Sequence, residues 1–195
     1  MNSSVNLNPL SRCIIGIDPS INSTGICVNI NNEDIFDYYI ITSKLTKKQS
    51  QFTHPQIRLI KYEKKETKDC EYSEKESIKT LNFHNIVSGI EKIVDKYHPD
   101  TVLIEGVSYG SVRSAALVDL AGLNYMIRQA LLKKDIPFEI VSPTSNKKSF
   151  TGNGQATKDV MIDTWKRWDS NINNVNEIKI DDLADAFALS VYRET

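Results

Sequence analysis

The sequence has few cysteines and no long apolar run, and both absences limit what the protein can be. Its three cysteines, Cys13, Cys27 and Cys70, are odd in number and lack the CxxC spacing of a zinc site. They are typical of reduced thiols in a cytosol-like compartment. No apolar run approaches the roughly 20 residues of a membrane span. Residues 1–10 lack the basic segment and apolar core of a signal peptide, so we expect a cytoplasmic protein without a targeting signal.

The sequence also lacks a strong net charge and internal repeats. Its 24 basic and 25 acidic residues give a net charge of -1, which neither favours nor excludes a nucleic-acid partner because local excesses cancel in the sum. A chain of 195 residues is long enough for one domain with a full hydrophobic core. We therefore expect a single domain over residues 1–195, with a polar, charged insertion at about 43–76.

Three segments rich in β-forming residues predict an antiparallel meander at the start of the chain. The first is an apolar run that ends in Asp18, and Pro19 then closes the strand because it cannot donate to a ladder. A carboxylate at the tip of a buried strand costs folding free energy unless something pairs with it, so Asp18 is a candidate for chemistry. The three predicted strands cover residues 12–18, 25–31 and 35–42.

The insertion differs in kind, since residues 43–80 contain ten Lys or Arg against six Asp or Glu. One interpretation is a solvated excursion with an extra hairpin around 57–62. The other is a mobile basic arm that touches a polyanion.

The second half of the chain alternates predicted helices with short strands. The helix over 111–134 is apolar or small on more than one side, so it must bury a second face against another helix or a second subunit. Alternation of helices and strands favours parallel pairing of the two strands. The predicted elements are a helix over 77–97, a strand over 101–105, the helix over 111–134, a strand over 137–141, a loop over 143–155, a helix from 156 or 157 to 168 and a helix over 179–193.

Acidic residues end two predicted strands and begin the last helix. Asp18 and Glu105 each follow a buried apolar run, and Asp182 and Asp185 are three residues apart on one helix face, with Asp181 close to that face. Convergence of these carboxylates requires neutralising cations, and hard divalent ions such as Mg²⁺ or Mn²⁺ fit oxygen ligands. Two such ions about 3.5–4 Å apart can drive in-line attack on a phosphodiester. Each acid taken alone is also explained as a turn or helix cap.

Four segments together resemble the RuvC family of Holliday-junction resolvases, and they occur in that family's order. The resemblance covers about residues 15–42 and 77–192. It implies an α/β, RNase H-like fold whose five-stranded mixed sheet, a three-stranded antiparallel meander plus two parallel strands, is flanked by helices. It also implies a homodimer and Mg²⁺-dependent paired nicking of branched DNA such as a four-way junction. The four segments are 16–25, 104–106, 141–158 and 182–189.

The resemblance also assigns site residues by position. The family's four metal-binding acids match Asp18, Glu105, Asp182 and Asp185, which would hold two Mg²⁺ ions, with Mn²⁺ as a substitute; Asp181 has no counterpart. Lys147 and Lys158 match basic residues that contact the scissile region, with Lys158 among the catalytic groups. Lys148 is adjacent to Lys147 and is assigned to DNA binding with it.

The chain departs from the family pattern in two places. The family's base-stacking aromatic falls on Ser108 here, and the aromatic is Tyr109, one residue later, which we assign to DNA binding by stacking. The insertion at 43–76 is longer than the connection in bacterial members, which favours a divergent, phage- or virus-encoded relative acting in the cytoplasm of a bacterium or an infected host cell.

Three other functions fit parts of the sequence. The same fold and metal chemistry would serve a broader branched-DNA or flap nuclease, or a nuclease of RNA:DNA hybrids. An ATPase of the actin and sugar-kinase group shares the Asp and Thr-Gly spacing, but those proteins need two such lobes and this chain is too short for them. A non-catalytic junction-binding module would gain from losing the acidic residues, so their presence counts against it.

Overall fold

A six-stranded mixed sheet forms the centre of the computed structural model, which describes residues 12–30, 35–107, 115–172, 175, 178 and 180–193. The strands lie in the order β4-β3-β2-β1-β5-β6. β2 runs antiparallel to both β1 and β3, whereas β4 pairs parallel with β3, and β5 pairs parallel with both β1 and β6. The strands are β1 Cys13–Asp18, β2 Ser23–Ile30, β3 Ile35–Thr42, β4 Ile57–Lys61, β5 Thr101–Glu105 and β6 Phe138–Val141.

Five described helices cover the two faces of this sheet. Helices α1 and α2 pack on one face, and α3, α4 and α5 pack on the other. The alternation of side chains along the strands divides the core between these faces: Tyr39 and Ile41 join the α1 side, and Tyr38 and Ile40 join the α4–α5 side. The helices are α1 Tyr72–Tyr97, α2 Ala115–Lys133, α3 Pro143–Thr151, α4 Lys158–Trp168 and α5 Asp181–Ser190.

All strands except β2 end at the same edge of the sheet, which we call the carboxyl edge. This follows from the pairing directions, because β3, β4, β5 and β6 all run in the same direction as β1. Only β2 runs in the opposite direction. The residues at this edge are Asp18, Thr42, Lys61, Glu105 and Val141. Side chains from distant parts of the sequence therefore meet there.

The predicted α/β sheet is confirmed, but it has six strands rather than five. The sixth is β4, in the middle of the insertion, where a hairpin was one of the interpretations. Its five residues pair parallel with β3 along the free side of that strand, and Ile57 is buried there. Pairing satisfies the edge of β3, which would otherwise present unpaired backbone groups.

The predicted loop at 143–155 is wrong, because most of it forms α3. Ser142 is the N-cap and its hydroxyl accepts a hydrogen bond from the Ser145 backbone N–H at 3.0 Å, while Pro143 occupies the first turn. Gly152 ends the helix with φ of 79°. The Ser-Pro start and the glycine end of this helix can both be read from the sequence, but the polar composition of the segment favoured the prediction of a loop.

Two glycines bring α5 unusually close to the sheet. A Cβ atom on Gly25 of β2 would lie 2.2 Å from the backbone oxygen of Asp182, and one on Gly16 of β1 would lie 2.1 Å from that of Ala186. Neither backbone atom can give way cheaply, so these positions require glycine. The first turns of α5 therefore rest directly above the strand that ends in Asp18.

None of the helices that the structure describes is long and apolar enough to span a lipid bilayer.

Candidate active site

Asp18 and Glu105 are neighbours at the carboxyl edge. β1 and β5 pair in parallel with Ile17 opposite Ile104, so the two acids that follow these residues lie side by side. Burial is the main cause that raises the pKa of Asp18 well above its usual range, and repulsion from Glu105 adds to it. Burial likewise raises the pKa of Glu105 to about 7. A hydrogen bond between the two carboxyl groups raises the pKa of Asp18 and lowers that of Glu105, so Asp18 is the donor of the proton that the pair shares.

Three further acids come from the first turns of α5. Asp181 and Asp182 are buried in the first turn, where the helix dipole favours negative charge. Asp185 follows one turn later, and burial raises its pKa to about 6, against the opposing effect of Lys147 and Lys158. Electrostatic repulsion from both Asp182 and Asp185 reaches Asp18. The predicted convergence of Asp18, Glu105, Asp182 and Asp185 is thus present, and we call these four residues the acidic cluster.

Lysines on α3 and α4 flank the acidic cluster. Lys147 lies close enough to lower the pKa of both Glu105 and Asp185. The Lys158 ammonium forms an ion pair with Asp181 at 2.5 Å, and that carboxylate is the largest cause that raises the lysine's pKa. Its side chain is nevertheless 64% exposed. The structure therefore brings Lys147 and Lys158 to the cluster, and it gives Asp181 a partner that the sequence did not suggest.

Lys148 is exposed, and it is not among the lysines that lower the pKa of Glu105 or Asp185. Tyr109, the predicted stacking residue, lies outside the described residues, as does Ser108.

Asn146 is a buried polar residue of the site that sequence reasoning missed. Its amide nitrogen donates to the backbone oxygen of Asp185 at 3.2 Å, and its side chain also hydrogen-bonds Glu105, which lowers the pKa of that acid. Asn146 joins the strand-borne acids to those of α5. Only a helical assignment for 143–151 would have revealed it, because the helix turns Asn146 inward.

The chemistry of this donor set fits hard divalent cations. Within the described residues, no three His, Cys, Asp or Glu side chains are already arranged as a metal-binding group. Two buried oxygens, Asp185 Oδ1 and Asn146 Oδ1, nevertheless accept no hydrogen bond from any described residue. Buried oxygens of this kind normally have a partner. An oxygen-rich, repulsive cluster with such acceptors suits Mg²⁺ or Mn²⁺, whose positive charge would replace the proton that Asp18 and Glu105 share.

Comparison by sequence places this chain near one family. A sequence model described as "Crossover junction endodeoxyribonuclease RuvC" matches residues 64–193, a range that holds Glu105 and α5 but not Asp18. The RuvC protein of Helicobacter pylori 26695 is 28% identical over 107 residues, which cover 55% of this chain and 66% of that relative. The RuvC protein of Bifidobacterium longum DJO10A is 34% identical over 109 residues, covering 54% of this chain and 53% of that relative. The chain thus spans between half and two thirds of these curated relatives.

Comparison by structure gives the same fold. The RuvC of Thermus thermophilus, solved in complex with a Holliday junction substrate, superposes with a TM-score of 0.61 at 14% identity, covering 92% of this chain and 90% of that one. The yeast mitochondrial Holliday junction resolvase Ydc2 superposes with a TM-score of 0.55 at 16% identity, covering 95% and 78% of the two chains. Both confirm the predicted RNase H-like fold.

Proposed function

Because the chain belongs to the RuvC family of crossover junction endodeoxyribonucleases, we propose that it is a structure-selective DNA endonuclease. It resolves Holliday junctions by paired, metal-dependent hydrolysis of phosphodiesters on opposite strands. The observation that carries this proposal is the convergence of Asp18, Glu105, Asp182 and Asp185 at one edge of the sheet. A family match without these acids would be compatible with a DNA-binding protein that cuts nothing.

In this proposal the acidic cluster holds the metal ions. When bound, two Mg²⁺ ions supply an activated water and stabilise the leaving oxygen, and Mn²⁺ can take their place. Asp18 and Glu105 must give up their shared proton to act as ligands. Asn146 favours this, because its hydrogen bond stabilises the ionised Glu105.

The lysines serve the DNA in the same proposal. Lys158 projects its exposed side chain from the first turn of α4 beside the acidic cluster, where it contacts the scissile phosphate. Its ion pair with Asp181 holds the ammonium at that place. Lys147 and Lys148 bind the backbone nearby, and Tyr109 stacks on an unpaired base at the junction.

We further propose that the protein acts as a homodimer formed through α2. One side of this helix packs in the core, and its outer side carries a stripe of exposed apolar residues at intervals of seven, Val118, Tyr125 and Leu132, which are 71%, 62% and 63% exposed. Residues seven apart lie on one face of a helix. Two subunits joined there would present two acidic clusters to opposite strands of a two-fold symmetric junction.

A nicking assay tests the function. With Mg²⁺, the protein is expected to make symmetric paired nicks in a synthetic four-way junction, and a Y-fork, a linear duplex and an RNA:DNA hybrid serve as competing substrates. Asp185→Asn is expected to abolish nicking, whereas Asp163→Asn, an exposed aspartate on α4, serves as the matched control. Nicking of forks or hybrids as fast as junctions would move the function to a broader nuclease. Wild-type levels of nicking by Asp185→Asn would contradict the proposed site.

A further inference from the structure

The insertion places three lysines at the carboxyl edge, and we call Lys44, Lys61 and Lys64 the insertion lysines. Thr42 at the end of β3 is the register partner of Lys61 at the end of β4. Both connections of the insertion therefore leave the sheet at the edge where Asp18 ends β1. The family match begins at residue 64, so Lys44 and Lys61 lie outside the matched range.

Hydrogen bonds fix the insertion to the turn that follows Asp18. The Tyr62 hydroxyl donates to the backbone oxygen of Ile21 at 3.0 Å. The Thr42 hydroxyl donates to that of Asn22 at 2.9 Å. The insertion lysines thus stand on backbone that is tied to the strand carrying part of the acidic cluster.

A second set of hydrogen bonds holds the outgoing connection on α1. The Asn82 side chain pairs with both backbone groups of Lys65, accepting at 2.9 Å and donating at 3.0 Å. The Asn85 amide donates to the backbone oxygen of Glu63 at 3.1 Å. The residues on both sides of Lys64 are therefore held in place, and the cost of ordering the chain has been met before any ligand binds.

The charge of this surface suits an anionic partner. Residues 43–68 contain eight Lys or Arg and only two acids, in a protein whose net charge is -1. None of the insertion lysines forms an ion pair within the described part of the chain, whereas Lys79 and Lys134 are each paired with an aspartate. A cleft of about 190 Å³ joins the three lysines with Ser43 and Tyr62, and two acids, Glu63 and Glu66, also line it.

We propose that the insertion lysines bind backbone phosphates of one duplex arm of the DNA whose strand enters the acidic cluster. This inference rests on the proposed nuclease function. β4 lies three strands from β1, or about 14 Å at the usual strand spacing. That distance corresponds to about 4 bp of B-DNA at 3.4 Å per base pair. A duplex running along the carboxyl edge would pass from the acidic cluster over the insertion lysines.

Two double variants test this inference. Lys44→Glu/Lys61→Glu reverses two insertion lysines, and Lys92→Glu/Lys166→Glu makes the same change of charge on α1 and α4, at lysines without ion pairs in the described ranges. Binding to a four-way junction is measured without Mg²⁺ over a range of salt concentrations. The insertion variant is expected to lose affinity about tenfold, and its slope of log K against log salt is expected to fall by about 2.

Phosphate-ethylation interference gives the position of the contact. In the wild type, interference is expected at phosphates about 4 bp from the nicked bond, and the insertion variant is expected to lose it. The inference would be overturned if the insertion variant had the same affinity, salt slope and interference pattern as the control variant. The insertion lysines would then bind some other anionic partner. Nicking by the wild type in Mg²⁺ tests the proposed function separately. A wild-type protein that binds the junction through these lysines but does not cut it would contradict the proposed nuclease activity and leave the proposed DNA contact intact.

Discussion

The carboxyl groups of the acidic cluster are expected to dominate the response of this protein to pH. Burial and mutual repulsion raise the pKa values of Glu105 to about 7 and of Asp185 to about 6. Lys147 opposes both shifts. The metal-free protein therefore carries protons at neutral pH that an unfolded chain would have released, and a bound cation would have to displace them.

Stability of the metal-free protein is expected to fall as the pH rises from about 4 to about 7. A raised pKa means that the folded state binds more protons than the unfolded state. Proton binding by Glu105 therefore stabilises the folded state fully below the ordinary pKa of a glutamate, and this stabilisation is lost as Glu105 ionises. The full shift corresponds to about 3 kcal/mol, and we expect Glu105→Gln to remove about 1–3 kcal/mol of the pH dependence. Urea unfolding in EDTA at pH 5 and pH 8 measures this.

Asp163→Asn is the control for that experiment, because it removes one carboxylate from an exposed position on α4. It is expected to keep the wild-type pH profile. A profile for Glu105→Gln that parallels the control would show that Glu105 ionises at its ordinary pKa.

Lys158→Ala is expected to reduce cleavage more than binding. One phosphate contact among many contributes little to affinity, whereas a charge at the reacting phosphate acts in the transition state. Single-turnover cleavage of a four-way junction should fall at least about tenfold, with affinity changed by less than about threefold. Lys166→Ala, further along the same helix, should change neither. Equal losses of cleavage rate and affinity would show that Lys158 only binds the DNA backbone and has no role in the transition state.

The position of α5 depends on glycines in two neighbouring strands. Gly25→Ala would place a methyl group 2.2 Å from the Asp182 backbone oxygen, so α5 would have to move away from β2. We expect a loss of about 1–3 kcal/mol in the free energy of unfolding. We also expect a loss of nicking larger than the stability change explains, because Asp182 and Asp185 move with the helix. Chemical denaturation and nicking under conditions where the variant is fully folded measure the two effects.

Gly122→Ala on α2 is the matched control, since a Cβ atom there would lie 3.5 Å from the Phe83 ring, an ordinary contact. This substitution is expected to raise stability by about 0.5–1 kcal/mol through helix propensity. Destabilisation by Gly122→Ala to the same extent as by Gly25→Ala would show that close approach of α5 is not the cause.

Helices and strands with strong apolar periodicity were predictable, whereas α3 and the pairing of β4 were not. The strand containing Asp18 and the helix ending at Tyr97 follow from apolar patterns in the sequence. Helix α3 was missed because it buries only Asn146 and owes its ends to a cap and a glycine. For strand β4 the sequence offered a hairpin around 57–62 as one interpretation, but it did not show the parallel pairing with β3, because a short edge strand gains its stability from the partner strand.

Assembly of two subunits is expected to depend on the exposed stripe of α2. Tyr125→Glu places a charge in the middle of that stripe, where burial in an interface would carry a large desolvation cost. Sedimentation should show a dimer for the wild type at micromolar concentration and a monomer for Tyr125→Glu. The monomer is expected to nick single strands of a four-way junction without pairing the nicks, because each acidic cluster then acts alone.

Val160→Glu is the control, since Val160 is an exposed apolar residue on α4, across the sheet from α2. It is expected to sediment like the wild type. A wild type that stays monomeric with and without DNA would contradict the proposed dimer.

Apolar periodicity and the positions of acids along it are local properties of the chain, so the sequence was enough to predict the α/β fold and to bring Asp18, Glu105 and the acids of the last helix together. The resemblance to the RuvC family, and not the periodicity, chose Asp182 and Asp185 over Asp181. Packing decided the rest. Asp181 forms an ion pair with Lys158, and Asn146 forms a hydrogen bond with Glu105, only because α3 and α4 lie against α5. The insertion joins the carboxyl edge only because β4 pairs with β3. These contacts join residues far apart in sequence, so their free energies exist only in the folded molecule.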